Sequence, residues 1–283
     1  MRDNSLADFI AAEGLPEDFA RTVERVCEPL AARSARLRQD RRRTVVVGLC
    51  GSQGSGKTTV AEVARRLLAE RGMSAVSISL DDFYLTREAR RRLAESVHPL
   101  LATRGPPGTH DVGMAAAALD QLRAPGAAAL PRFDKAADTR APRASWPKVK
   151  TPVDVVVLEG WCVGAIAQGQ AALSRPVNAL EAEEDAAGVW RGYVNDQLGG
   201  PYQELFGHLD DLVLLAAPSF EVVAGWRAEQ EAKLRARTGG GMSEGEIARF
   251  VAHYERLTRW ILSEMPGRAG WTVPLDAERR PLD

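Results

Sequence analysis

Nine consecutive residues read Gly-Ser-Gln-Gly-Ser-Gly-Lys-Thr-Thr, and the first eight match the pattern G-x-x-x-x-G-K-[ST]. The glycines let the backbone turn tightly, so that successive amide groups point toward phosphate oxygens. Lys57 brings a positive charge to the β- and γ-phosphates, and Thr58 offers a hydroxyl to Mg²⁺. The sequence therefore predicts a site for a nucleoside triphosphate and Mg²⁺. The predicted nucleotide-binding residues are Gly51, Ser52, Gln53, Gly54, Ser55, Gly56, Lys57, Thr58 and Thr59.

Acidic residues follow two other apolar runs. Asp81 and Asp82 come directly after Ala75–Leu80, and Glu159 comes after Val153–Leu158. In open α/β sheets, ligands bind beyond the carboxyl ends of the strands. There, Asp81 could accept a proton from an attacking hydroxyl, and Glu159 could hold Mg²⁺ directly or through water. For Asp82, the cap of a helix is as good an interpretation as a functional role.

Four basic residues lie on or just beyond one predicted helix: Arg227, Lys233, Arg235 and Arg237. A run of three glycines at 239–241 follows them. Arginines beside a flexible break suit a lid that closes over a moving phosphoryl group, so Arg227 and Arg235 are candidate catalytic residues. The alternative is a solvated helix face with i,i+4 ion pairs.

The motifs need particular elements to position them. Short apolar runs predict strands at 44–49, 75–80, 153–158, 212–216 and 271–275, the last at a sheet edge because of Pro274. Helical spacing predicts helices in 5–38, at 57–71, 86–97 and 114–122, from Asn178 to about Leu198, at 220–235 and from Ser243 to Pro266. This alternation predicts an α/β fold of the P-loop NTPase type, a mainly parallel sheet with helices on both faces. A helical N-terminal annex and a lid helix complete the predicted fold.

We expect a helical annex at 1–43 and one P-loop domain at 44–283. The substrate-loop insertions then fall at about 86–150 and the lid at about 220–242. Residues 104–111 and 130–150 are rich in proline and glycine or lack apolar periodicity, which predicts irregular loops. Aromatic and charged residues interleave these loops, so we favour a functional role for them.

The composition excludes several classes of protein. The 283 residues include 37 basic and 38 acidic side chains, so the basic surface of a nucleic-acid-binding protein is not expected. Three scattered cysteines are too few for a disulfide framework or a zinc site. No apolar run approaches the length of a membrane span, and the first residues include acids. We therefore expect a cytoplasmic protein with no membrane or nucleic-acid partner.

Six segments of the chain resemble one family. They are Gly51–Thr59, Ser79–Tyr84, Arg104–Asp111, Pro131–Lys135, Leu158–Trp161 and Trp226–Glu231. In this order they resemble the D-glycerate 3-kinases of the plant and fungal type. That family is similar to the phosphoribulokinase, uridine kinase and pantothenate kinase group. The resemblance implies that Asp81 is the general base and that the helix carrying Arg227 is the mobile lid.

The resemblance also implies a small hydroxy acid as substrate. Such a molecule needs a cation, preferably a guanidinium, and polar groups that hold its hydroxyls. The candidate substrate contacts are Asp81, Tyr84, Arg104, His110, Asp111, Arg132 and Lys135. The alternative is that Arg132 and Lys135 are solvated loop charges and that Asp134 or Asp111 caps a turn.

The expected reaction is MgATP-dependent transfer of a phosphoryl group to a hydroxyl of D-glycerate, giving 3-phosphoglycerate. One alternative is a kinase of the same fold for a nucleoside, pantothenate or a sugar phosphate. Another, of a different class, is a nucleotide-hydrolysing switch or a regulatory ATP-binding protein. The phosphate-binding motif alone does not separate transfer from hydrolysis.

Overall fold

The computed structural model describes residues 6–16, 18–238 and 241–282. Its strands are β1 (Val45–Gly51), β2 (Ala75–Ser79), β3 (Gly126–Ala129), β4 (Phe133–Asp134), β5 (Thr139–Arg140), β6 (Lys148–Thr151), β7 (Val155–Gly160), β8 (Asp211–Ala216) and β9 (Trp271–Pro274).

The α-helices within these ranges come in two runs. The first comprises α1 (Leu6–Ala12), α2 (Phe19–Thr22), α3 (Glu28–Arg41), α4 (Lys57–Glu70), α5 (Arg87–Ser96) and α6 (Val112–Arg123). The second comprises α7 (Ala179–Glu184), α8 (Val189–Gly199), α9 (Pro201–Phe206), α10 (Phe220–Thr238) and α11 (Glu244–Glu264). A π-helical turn, Val23–Cys27, joins α2 to α3, and a 3₁₀ turn, Leu80–Phe83, follows β2.

The central sheet has five parallel strands in the order β2-β7-β1-β8-β9. Cys50 of β1 lies opposite Gly160 of β7, and Ser79 of β2 lies opposite Glu159. The loop after β1 and the acids at the ends of β2 and β7 therefore share one edge of the sheet. This topology confirms the predicted α/β fold with a mainly parallel sheet.

Strand β1 shows why helices cover both faces. Its side chains alternate between faces because the side-chain period of a strand is two. Val45, Val47 and Leu49 join a cluster that includes residues of α3 and α4. Val46 and Cys50 join a second cluster that includes residues of α6, α9 and α11. A strand buried on both sides must be apolar throughout, which the run of valines satisfies.

Two local predictions were wrong. The helix predicted from Asn178 to Leu198 is interrupted, because Gly188 adopts φ +76° and Asp185 accepts hydrogen bonds from the first amides of α8. Helix α9 then begins directly after Gly200. The region 130–150 is less irregular than predicted, since Lys148–Thr151 pairs with β3 in a small antiparallel sheet.

The annex and domain boundaries remain predictions. Helix α3 packs beside α4, and Val26 and Leu30 share the core cluster of Val45, so the annex region covers one face of the sheet. Within the described ranges, none of the helices combines the length and the apolar character that a bilayer span requires.

Candidate active site

The phosphate loop lies between the end of β1 and the start of α4. Gly54 and Gly56 adopt φ values of +78° and +82°, which are disfavoured for residues with a side chain. The amide of Ser55 donates to the carbonyl of Ser52 at 3.2 Å and closes the turn. No side chain caps the N-terminus of α4, so its first amides and the positive end of its dipole remain available to an anion.

Two buried hydroxyls in this loop fit a phosphate ligand. The Oγ atoms of Ser52 and Ser55 are buried and have no hydrogen-bonding partner among the described residues. A buried polar atom without a partner costs free energy, so such atoms indicate a ligand that satisfies them. Phosphate oxygens are acceptors that suit both hydroxyls.

Thr58 and Glu159 meet beside the loop. The hydroxyl of Thr58 donates to Oε1 of Glu159 at 3.0 Å, and Oε2 of Glu159 is buried without a hydrogen-bonding partner in the described part of the chain. Burial raises the pKa of Glu159, and the charge of Lys57 partly opposes this shift. The pair fits Mg²⁺, which in nucleotide sites takes one or two protein ligands together with waters and phosphates. The described residues contain no cluster of three or more acidic, His or Cys side chains that could hold a metal alone.

Asp81 lies in the 3₁₀ turn after β2, a quarter of its side chain exposed. Its Oδ1 accepts a hydrogen bond from the hydroxyl of Tyr84 at 2.7 Å, and its Oδ2 accepts one from Nζ of Lys135 at 2.7 Å. Burial by itself would raise the pKa of Asp81. The charges of Lys135 and Lys57 outweigh burial and hold that pKa well below its ordinary value. Asp81 is therefore an ionised carboxylate with a lysine at one oxygen.

Tyr84 is part of a buried aromatic cluster beneath Asp81. The rings of Tyr84 and His110 stack with centroids 4.7 Å apart. The Nδ1 atom of His110 shares a 2.5 Å hydrogen bond with the hydroxyl of Tyr202, while its Nε2 atom is buried and has no hydrogen-bonding partner within the described ranges. Burial lowers the pKa of His110 to about 4, so the ring is neutral near pH 7. It can offer a substrate one hydrogen bond but no charge.

Asp82 and Arg132 hold the loop that follows β3. Asp82 accepts hydrogen bonds from Nη1 of Arg132 at 3.0 Å and from the amide of Phe133 at 3.1 Å. Burial raises the pKa of Asp82, and Arg132 opposes the shift. The structure therefore does not use Asp82 as a simple helix cap, since its carboxylate binds a loop fifty residues away. Arg132 is pinned by this pair and keeps 40% of its side chain exposed.

Arg104 enters the same region from the proline-rich loop. Its Nη1 donates to Asp138 at 2.6 Å, and the other oxygen of Asp138 accepts from the buried Arg90 at 2.5 Å. Arg104 is 30% exposed and has further donors available. Its loop is anchored because the Tyr254 hydroxyl donates to the Arg104 carbonyl and the Trp161 indole donates to the Gly105 carbonyl.

Asp111 has structural partners at both oxygens. Its Oδ1 caps α6 by accepting from the amide of Met114 at 3.0 Å, and its Oδ2 accepts from Arg140 at 3.3 Å. The cap that the sequence offered as an alternative is therefore present. Direct substrate contact by Asp111 stays a prediction.

The lid candidates lie on α10. Arg227 donates to Glu231 at 2.7 Å and lies over the ring of Phe250, and its Nε atom is buried with no hydrogen-bonding partner among the residues that the structure describes. Arg235 donates to the carbonyl of Met242. The side chains of Lys233 and Arg237, and residues 239 and 240, lie outside the described part of the chain. The residue before Arg227, Trp226, packs against the phosphate loop, because a Cβ at Gly54 would lie 2.7 Å from its Cβ.

Three site residues escaped sequence reasoning. Asp138 joins Arg90 to Arg104, Arg140 pairs with Asp111, and Arg279 donates to the carbonyl of Gly54 at 2.7 Å. Asp138 and Arg140 lie in the loop for which the sequence already predicts a functional role. That loop carries several charged residues, and their types alone do not show which of them form these pairs. Nothing in the local sequence around Arg279 indicates a role.

The geometry thus assembles a phosphate cradle, an acid–hydroxyl pair for Mg²⁺ and an ionised carboxylate at one edge of the sheet. The charges of Lys57 and Lys135 act on Asp81 from two other chain segments, and the charge of Arg104 acts on its partner Tyr84. Such a site can bind a nucleoside triphosphate and place an anionic molecule with a hydroxyl beside it.

Comparison with known proteins agrees with this geometry. Residues 46–167 match the model of the Phosphoribulokinase / Uridine kinase family. An uncharacterized kinase of Schizosaccharomyces pombe, mug58, is 34% identical over 222 residues, covering 75% of this chain and 79% of that protein.

The chloroplastic D-glycerate 3-kinase of Arabidopsis thaliana is 30% identical over 256 residues, which cover 84% of this chain but 54% of that protein. The structure of D-glycerate 3-kinase from Cryptococcus neoformans superimposes with a TM-score of 0.75 over 91% of this chain and 97% of that chain, at 24% identity. The structural likeness bears on the fold, and the sequence relatives bear on the family. The chain belongs to the phosphoribulokinase/uridine kinase family and is a kinase.

Proposed function

We propose that the chain transfers the terminal phosphoryl group of ATP to the 3-hydroxyl of D-glycerate. The observation that carries the proposal is the position of Asp81, an ionised carboxylate within the field of Lys57 and bonded to Lys135. A carboxylate there can orient a hydroxyl toward the phosphate loop, and the nearby cations suit an acceptor that carries its own carboxylate. The name of the Arabidopsis relative supports D-glycerate as that acceptor.

In the proposed reaction, Asp81 accepts the proton of the acceptor hydroxyl as its oxygen bonds to the terminal phosphorus. The bond from that phosphorus to the bridging oxygen breaks, and ADP leaves with the bonding electron pair. Lys57 pairs with the charge on the phosphates. Thr58 and Glu159 would hold Mg²⁺, which supplies further neutralisation of phosphate charge when bound. Arg227 is the stronger lid candidate, because its neighbour Trp226 already contacts the loop.

Lys135 gives the proposal its specificity for an anion. The Lys135 side chain is 60% exposed, and its ammonium group is bound to the oxygen of Asp81 that a substrate hydroxyl would need. An acceptor carboxylate can draw Lys135 away from Asp81 and so free that oxygen. The charge of Arg104 acts on Tyr84, and the neutral His110 stacks on the Tyr84 ring. In the proposed complex these two residues hold the carboxylate and a hydroxyl. Tyr84 keeps Asp81 oriented through its hydroxyl.

The test is ADP release by purified protein with MgATP and one acceptor at a time. We expect release with D-glycerate, and far less with L-glycerate, uridine, pantothenate or glycerol. ADP release that depends on uridine or pantothenate would support phosphoryl transfer but show that the acceptor is not D-glycerate. Release that is indifferent to every acceptor would reject the transfer proposal and favour hydrolysis or regulation.

A lysine variant tests the anion argument. We expect Lys135→Met to raise KM for D-glycerate by about tenfold to a hundredfold, because a charge-assisted hydrogen bond is lost. Its preference for D-glycerate over glycerol should fall by a similar factor. Lys148→Met removes an exposed lysine of β6 and serves as the matched control. If Lys135→Met keeps the wild-type preference for D-glycerate over glycerol, Lys135 does not bind the acceptor carboxylate.

A further inference from the structure

The chain makes a tight turn after β9. The carboxylate of Asp276 accepts hydrogen bonds from the amides of Glu278 and Arg280 at 2.9 and 2.7 Å. Between them, Arg279 adopts φ +68°, a left-handed conformation that a residue with a side chain rarely takes. Hydrogen bonds within the turn flank this conformation, and the side chain of Arg279 contacts two other elements of the fold.

The side chain of Arg279 joins the phosphate loop to the lid helix. Its Nε donates to the carbonyl of Gly54 at 2.7 Å, and its Nη2 donates to Glu229 of α10 at 2.6 Å. The guanidinium lies 5.2 Å from the centre of the Trp226 ring. Both donors and the flat face of the guanidinium are therefore used, an arrangement that a lysine cannot reproduce.

Trp226 of α10 contacts both the turn and the phosphate loop. Its indole donates to the carbonyl of Ala277 in the turn at 2.6 Å, and its Cβ leaves no room for a side chain at Gly54. The turn, the lid helix and the phosphate loop each contact the other two. A shift of one element must therefore move the others.

Peptide geometry explains why the Gly54 carbonyl matters. A trans peptide is planar, so the direction of the Gly54 carbonyl fixes the direction of the following amide, that of Ser55. Arg279 holds the carbonyl on the outside of the loop, and the Ser55 amide points inward to Ser52. The contact thus sets the curvature of the phosphate cradle.

We propose that Arg279 is a positioning residue for nucleotide binding, which holds the phosphate loop in its binding shape and couples that shape to the docking of the lid helix. The proposal rests on the proposed function only in that the loop binds nucleotide, and it is independent of the acceptor. A residue of the C-terminal turn thereby governs a loop 225 positions away in the sequence.

The test compares Arg279→Ala, Arg279→Gln and Arg279→Lys with the neighbouring control Arg280→Ala. The Arg280 side chain pairs with Asp18 on the surface, each side chain about half exposed, and the backbone hydrogen bonds of Arg280 to Asp276 are kept in the alanine variant. The dissociation constant of ATP is measured by calorimetric titration without acceptor. Separate assays give KM for ATP, KM for the acceptor, kcat and the unfolding midpoint.

We expect Arg279→Ala to weaken ATP binding by about tenfold to a hundredfold, the loss of a hydrogen bond to a charged group. KM for ATP should rise by a similar factor while KM for the acceptor stays within about twofold of wild type. Arg279→Lys should recover only part of the lost ATP affinity. Arg280→Ala should bind ATP as tightly as wild type. Arg279→Gln serves if the alanine variant does not fold.

Two results would overturn the proposal. Equal ATP affinity in the Arg279 and Arg280 variants would remove Arg279 from nucleotide binding. Parallel losses in both KM values together with a lowered unfolding midpoint would indicate a merely structural contact. A normal ATP titration with no turnover on D-glycerate would instead count against the proposed acceptor and leave the Arg279 proposal intact.

Discussion

At the scale of single residues, the charge state of Asp81 decides what the site can do. The two lysines near it outweigh burial and keep its pKa low, so the carboxylate is ionised throughout the neutral range. A weak base of this kind serves phosphoryl transfer, because the loose transition state needs an oriented hydroxyl more than early proton removal. Orientation comes from Tyr84, which fixes one oxygen and leaves the other to Lys135 and the acceptor.

Asp81→Asn tests this role. An amide keeps the shape of the side chain but accepts a proton poorly, so we expect kcat to fall by about a hundredfold to ten-thousandfold. ATP affinity, measured by direct titration, should stay near wild type because Asp81 does not belong to the phosphate loop. Turnover within a few-fold of wild type would remove Asp81 from the mechanism.

His110 makes a prediction about pH. Burial depresses its pKa from 6.5 to about 4, so the unfolded chain binds a proton that the folded chain rejects between these values. The stability associated with neutral His110 is complete above pH 6.5 and is lost as the pH falls toward 4, a change of about 3 kcal/mol. We expect His110→Gln to show a shallower loss of unfolding free energy over this range in urea titrations.

His208→Gln controls for the removal of one histidine elsewhere in the chain. If His110→Gln and wild type lose unfolding free energy with the same slope between pH 6.5 and 4, the buried ring does not contribute to acid sensitivity. His110→Gln also removes the hydrogen-bonding partner of Tyr202, so the free energy of unfolding of this variant at pH 7 is the baseline for its pH dependence.

At the scale of elements, the close approach of α10 to the phosphate loop explains a glycine. Gly54 and Gly72 have nearly equal φ values of +78° and +76°, but their surroundings differ. A Cβ at Gly72, which follows α4, would meet nothing within 4 Å, whereas one at Gly54 would lie 2.7 Å from the Cβ of Trp226. An alanine at either position therefore has the same unfavourable backbone conformation, but only the alanine at Gly54 also clashes with a neighbouring side chain.

We predict that Gly54→Ala lowers kcat/KM for ATP by about a hundredfold, because the loop or α10 must shift to admit the methyl group. Gly72→Ala should lower the unfolding free energy by about 1 kcal/mol and leave catalysis unchanged. Equal catalytic behaviour in the two variants would show that the helix tolerates the displacement.

At the scale of the whole molecule, nucleotide binding should stabilise the fold, because the site draws on β1, β2 and β7 and on α4. A ligand that binds only the folded state adds about 2.7 kcal/mol to the free energy of unfolding at a hundred times its Kd. We expect MgATP to raise the unfolding midpoint and EDTA to reduce this effect. In Lys57→Ala the shift should be largely lost, and an undiminished shift would place the nucleotide elsewhere.

Much of the fold and part of the site could be predicted from local sequence. The phosphate loop, the capping box of Ser243 and Glu246, and the glycine after α4 all depend on backbone geometry within a few residues. The positions of Asp81 and Glu159 followed from the rule that parallel strands end at one edge. The break at Gly188 was missed because the helical pattern continues through it and the cap of α8 comes from Asp185.

Only the tertiary structure decided which charges meet. Lys135 reaches Asp81 across 54 residues, Asp138 joins two arginines of other segments, and Arg279 reaches Gly54 across 225. A local motif specifies its own backbone, because its hydrogen bonds close within a few residues. Partners far apart in the chain are selected by topology and packing, to which the spacing of residue types gives no guide. The sequence by itself determined a kinase of the phosphate-loop type, and the folded chain determined how its loops, lid and C-terminal turn surround the chemistry.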